Sequence, residues 1–380
     1  MRPRRAPRVP GGTPHGGVRG RAGNLTPASE NACPKGSVAP VRGEKAPETE
    51  PDAPRDPLPG LPPRAPGSIR RTMHVDVGPR GSWSSPLAME GAARDLRTDA
   101  DGAGVVLARA RVSAGFDMGR RLESLDTTPR AAWSSALVGT RAGGGFRRHL
   151  EEVVPPGEAG SLLRQVLDDM PAAALISGYA WMRLARREGH HPASLMPSGA
   201  LDRMTDLCSG WRAGGTAVRS VLDGHGVPVQ DCPPAPAPVP GAAVDDLAWH
   251  ELGRLDLDWM RRRRCIDVAV AGDGTFSIWA MFRDTVGEGG GDEVVLHEYA
   301  VRASGAAGVL GAVSAEPRVL PFPECPAAAD AVGALVGAPV GALASAVPDT
   351  LTGIASCTHL NDLLRALGGV GGLLEVATAA

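Results

Sequence analysis

Apolar residues alternate with other residues at Ile266, Val268 and Val270, and again at Phe276, Ile278, Ala280 and Phe282. That is the period of half-buried antiparallel strands. The segments "PAAADAVGALV", "SLLRQVLDDM" and "CTHLNDLLRAL" carry helical spacing instead. The pattern occurs twice. "RRTMHVDVGPRGSWSSPLAMEGAARDL" from Arg70 to Leu96 aligns with "RRRCIDVAVAGDGTFSIWAMFRDT" from Arg262 to Thr285. Each has an arginine cluster, a strand, a turn, a second strand and an aspartate at its end. Further strand-like pairs follow in both, "VVLARARV" with "GRRLESL" and "EVVLHEYAVRA" with "GVLGAVSA". A shared "ALVG" then fixes the register. The expectation is an α+β protein made of two tandem copies of an antiparallel sheet followed by helices. Residues 69–170 and 261–368 should superpose, related by a pseudo-twofold axis.

Composition sets the boundaries. Residues 1–68 hold 15 of the 35 prolines, no Phe, Trp, Tyr or Ile, and 11 Lys and Arg against 6 Asp and Glu. Such a segment buries too little apolar surface to offset the entropy of ordering, so it reads as a disordered basic tail. The first copy, degenerate and with extra helical sequence around "GALDRMTDLCSGWRAGG", spans 69–225. A Pro-rich linker covers 226–246, with "VPVQDCPPAPAPVPGAA" at 227–243, and the second copy spans 247–380.

Charge and targeting signals narrow the function. The whole chain carries −2 and the tail about +5, leaving the remainder near −7. That balance argues against a specific nucleic-acid surface. Arginine outnumbers lysine 38 to 2, which reads as coding bias. No run of 18 apolar residues suits a membrane span, and no apolar stretch follows the arginines near Met1, so a soluble cytoplasmic protein is expected. Six cysteines are too sparse for a disulfide framework and read as free thiols or ligands.

The candidate chemistry lies in the second copy. Asp284 follows the second strand. Cys325 precedes Pro326, a residue suited to the first helical position, and Cys357 and His359 fall in the first turn of a helix that Ser356 can cap. A helix N-terminus favours a thiolate and keeps an imidazole neutral, the forms that bind zinc or iron. In the first copy Asp95 matches Asp284, but Thr127 stands for Cys325, and "GSLLRQVL" has neither thiol nor imidazole. The expected ligands are therefore Asp284, Cys325, Cys357 and His359, holding one zinc or iron ion or a cluster. Three other readings stand beside this one. The cysteines can be small buried hydrophobes, with Asp284 pairing to the arginines Arg261 to Arg264. Cys357 can be a thiol nucleophile with His359 as its base, or the chain can be a structural module for an unidentified protein partner. Cys33, Cys208, Cys232 and Cys265 do not join the expected ligand set, and Cys265, in mid-strand, reads as a core residue. HExxH, GxxxxGK[ST] and a strand-bounded GxGxxG are absent.

"RRRRCIDV", "FRDT", "PFPECP" and "SCTHLNDLL" resemble a bacterial domain-of-unknown-function family whose members end in a Gly-Cys-Thr-His-Leu motif, with Ser356 in place of the glycine. More distantly, the layout is similar to U-type iron–sulfur cluster scaffolds. That resemblance implies metal or cluster binding at Asp284, Cys325, Cys357 and His359. The chain departs from it by lacking the cysteine beside the strand-loop aspartate, and by having Cys-Thr-His where the scaffolds have adjacent His and Cys.

Overall fold

The computed structural model describes residues 53–82, 84–191, 196, 198–228 and 245–378. Most of the expected tail (1–52) and the centre of the expected linker (229–244) lie outside the described residues. The alternating segments form β1 (Ile69–Pro79), β2 (Leu87–Thr98), β3 (Gly104–Phe116), β4 (Leu122–Thr128), β5 (Met260–Val270), β6 (Thr275–Gly289), β7 (Asp292–Ala306) and β8 (Val309–Val319). The helices are α1 (Phe146–Val153), α2 (Leu162–Arg187), α3 (Ala200–Met204), α4 (Thr216–Leu222), α5 (Ala327–Asp330), α6 (Leu343–Thr350), α7 (Thr358–Leu367) and α8 (Gly371–Thr378).

The fold is α+β, but the expected two sheets are one. Its eight strands run β4-β3-β2-β1-β5-β6-β7-β8. Each group of four is an antiparallel meander, and each would leave its first strand as an unpaired edge. Those two edges meet instead, with β1 antiparallel to β5. The seam is clamped reciprocally. Arg70 donates to both oxygens of Asp267 at 2.7 and 2.6 Å, and Arg261 donates to both of Asp76 at 2.6 Å each. Met73 faces Arg264 between the two clamps.

One face of the sheet is covered by helices over two apolar cores. Under α2, which contributes Leu163, lie Met73, Val75, Val77, Val112 and Phe116. Under α5 to α8, where α7 contributes Leu360 and Leu364, lie Ile266, Val268, Ile278 and Tyr299. The segment after α2, which the sequence assigns to the first copy, packs on the second core. Ala217 is part of that core, and Ser209 N donates to Ser356 O at 2.8 Å.

Residues 53–68 correct the tail boundary. They cross the opposite face of the sheet, where Arg283 and Arg70 donate to the carbonyls of Leu58 and Pro62, both at 2.7 Å. Leu58 and Leu61 pack with Trp249, Cys265 and Met281. Prolines suit this route because they fix φ and need no backbone donor partner.

Candidate metal centre

Between the two apolar cores the helix-covered face is ionic. Arg262 grips Asp284 through Nε and Nη2 at 2.7 and 2.8 Å and donates from Nη1 to Asp362 Oδ2 at 2.6 Å. Arg264 donates to Asp169 at 2.7 Å and to Asp362 at 2.8 Å, and Arg147 donates to the other oxygen of Asp362. Burial would push both Asp362 and Asp284 up. The arginines outweigh burial, and both carboxyls are held well below the usual range. Asp169 has one direct arginine partner. Burial dominates there and raises its carboxyl to about 6. Arg71 and Asp95 repeat the two-pronged clamp in the first meander, with both bonds at 2.7 Å.

Asp284 does not end its strand. It lies inside β6, at a register shift between Asp284 and Thr285, and pairs across to His297 of β7. His297 Nδ1 is 3.3 Å from Asp284 Oδ2, yet it is buried and makes no aligned hydrogen bond. The His297 ring stacks on His359 at 4.1 Å between centroids, and Phe282 lies beyond His359 at 6.2 Å. Asp284, His297 and His359 each offer one donor atom, and the three atoms lie within 4.8 Å of one another. Burial, reinforced by His297, holds His359 neutral, the form that ligates.

The cysteines fall one position away from the expected caps. Cys357 is itself the residue preceding α7, while Ser356 Oγ turns back to Gly353 O at 2.8 Å. Pro326, not Cys325, precedes α5. Cys357 Sγ lies 3.9 Å from His359 Nδ1, because Cys357 precedes α7 with extended backbone and His359 lies in its first turn. Burial nevertheless raises the Cys357 thiol to about 11 and pushes Cys325 up as well. Both pack in the second apolar core, with Tyr299 donating to Cys325 O at 3.1 Å. A thiol this hard to ionise makes a poor nucleophile. The structure thus brings Asp284 and His359 together, sets Cys357 beside them and keeps Cys325 out of the donor group.

His297 escapes the sequence reading, although the glycine-rich turn between β6 and β7 carries the signal. Counting outward from "GEGGGDE" along two antiparallel strands sets His297 against Asp284. Asp362 was also legible, one helical turn beyond Thr358 on the same face.

Residues 260–371, which include Asp284, His297, Cys325, Cys357 and His359, match a family described as protein of unknown function (DUF2889). Comparison with curated proteins and with solved structures finds no match. Among the described residues no helix is long and apolar enough to cross a membrane.

Proposed function

We propose that the protein binds a single divalent transition-metal ion, zinc or iron, through His297, His359 and Asp284. The observation that carries this reading is the convergence of the three donor atoms within 4.8 Å, with His297 Nδ1 buried 3.3 Å from the ionised Asp284 carboxylate in no aligned hydrogen bond and a neutral imidazole stacked on its ring. Two imidazoles and one carboxylate suit either metal. Asp284 can serve while still clamped, because each carboxylate oxygen has a lone pair beyond the one Arg262 uses. Three protein donors leave room at the ion for water or substrate, where it would supply Lewis-acid chemistry. Arg262 then orients the carboxylate, and Asp362 in turn holds Arg262. Cys357 and Cys325 are core residues in this reading. Four free thiols among the described residues accord with a reducing cytoplasmic setting.

Metal analysis of the purified full chain, with titration of zinc and ferrous iron, tests the proposal. Wild type should take up close to one equivalent. His297→Ala and His359→Ala should take up far less, and Cys357→Ser and Cys325→Ser should keep it. Wild-type protein with no affinity for either ion would remove the reading. Metal loss on Cys357→Ser with retention on His297→Ala would move the site to the thiols.

We also infer that the two meanders derive from one duplicated unit. The paired clamps Arg71–Asp95 and Arg262–Asp284 and the register shifts at Asp95 and Asp284 support this. So do the turns at Gly139 and Gly337, both at φ 89°, whose amides bond to Leu122 O and Leu310 O.

A further inference from the structure

The face of the sheet opposite the helices carries a second histidine pair. Residues 245–252 lie across it. Asp245 is held by Arg64 at 2.8 Å, the carbonyls of Leu247 and Ala248 accept from Arg94 and Arg70, and Trp249 is buried on Cys265 and Met281. His250 then turns in. Its Nδ1 is 2.8 Å from Thr72 Oγ1, its Nε2 is 2.6 Å from His74 Nδ1, and the two rings stack at 4.9 Å.

A nitrogen–nitrogen contact of 2.6 Å accommodates one proton between the rings, so the closed pair cannot hold both imidazoles charged. The surroundings oppose even one added charge. Arg261 and Arg263 face the pair from β5, Arg111 from β3 and Arg94 from β2. Two nearby carboxylates are committed elsewhere, and a third is solvated. Asp76 is clamped by Arg261, Glu293 is shared by Arg261 and Arg263, and the exposed Glu251 lies 3.9 Å from Arg111.

We propose that residues 245–252 form a proton-operated cover, closed at neutral pH and opening as the solution becomes mildly acidic. Opening withdraws Trp249 from Cys265 and Met281 and the Leu247 carbonyl from Arg94, baring the part of this apolar and basic patch that Leu58 and Leu61 leave uncovered. Burial, aided by the arginines, holds His74 down to about 3 in the closed state. Burial and the His74 ring hold His250 down to about 2. Once solvated, each returns to about 6.5. The closed state therefore binds fewer protons, and its advantage is complete above pH ~6.5 and lost progressively below it. At pH 5 the open state gains about 30-fold for each histidine and about 1000-fold for both, relative to neutral pH.

Hydrogen exchange of the full chain, followed by mass spectrometry on peptides spanning 245–252 and corrected for intrinsic rates, reads this opening directly. Between pH 7.5 and 5 the wild-type segment should lose protection by about 1000-fold, while α2 stays protected. His250→Asn should reduce the change to about 30-fold, and His74→Asn/His250→Asn should abolish it. Protection independent of pH, or the same loss in the double variant, would overturn the proposal. The wild type alone also decides it, should the variants fail to fold. NMR of its histidine ring protons must show neither His74 nor His250 titrating near 6.5 while the cover is protected, and a normal titration there would refute the mechanism.

Discussion

At the scale of single residues, the decisive chemistry is how charge is divided between Asp362 and Asp169. Asp362 accepts from three arginines on α1 and β5, whereas Asp169 has one direct partner and sits within about a pH unit of neutrality. Removing one member of a buried ionic group strands the other charges at a cost of roughly 3–5 kcal/mol. Asp362→Asn should therefore lower unfolding free energy in urea by about that amount, and Asp169→Asn by clearly less. Equal losses would show that burial, not arginine count, sets the cost. The sequence displayed Cys357 and His359 because they stand where α7 begins, and Asp284 because it closes the alternating run of β6, although the strand continues past it. It could not show that Cys325 turns into the apolar core, because a cap and a core position can be neighbours in the chain.

At the scale of elements, the alternating and helical periods identified the strands and the main helices, and errors gathered at their ends. β6 continues past Asp284 to Gly289, since a register shift lets the strand bend and carry on. α2 starts at a Ser161 cap whose side chain accepts from Arg164 N at 3.2 Å. Ser161→Ala should cost about 1 kcal/mol, measurable as a shifted urea midpoint with unchanged slope. The β7–β8 hairpin gives a sharper test. A Cβ at Gly305 would collide with the backbone carbonyl of Val309, while Gly333, in the 3-10 turn Ala331–Leu335, has open space around it. Gly305→Ala should cost about 1–3 kcal/mol by forcing backbone movement, and Gly333→Ala about 0.5 kcal/mol or less.

At the scale of the whole molecule, the seam between β1 and β5 was the part hardest to read from sequence. Each repeat is self-consistent as a four-stranded sheet, and nothing local to either one announces that their first strands pair. Arg70, Asp76, Arg261 and Asp267 become a matched set only when the two strands are laid antiparallel. Because the sheet is continuous, the summed fluorescence of the seven tryptophans and far-ultraviolet circular dichroism should follow one urea transition. Two separated midpoints would show that the halves unfold independently. The same seam sets the timing of synthesis. Arg70 and Asp267 are 197 residues apart in the chain, so at roughly 5–20 residues per second the edge of β1 waits about 10–40 s for its partner to be made. During that interval the newborn first half exposes an unpaired strand edge beside its buried arginines. The ribosome-bound nascent chain is therefore the stage at which this protein is most exposed to wrong pairing and most in need of a chaperone.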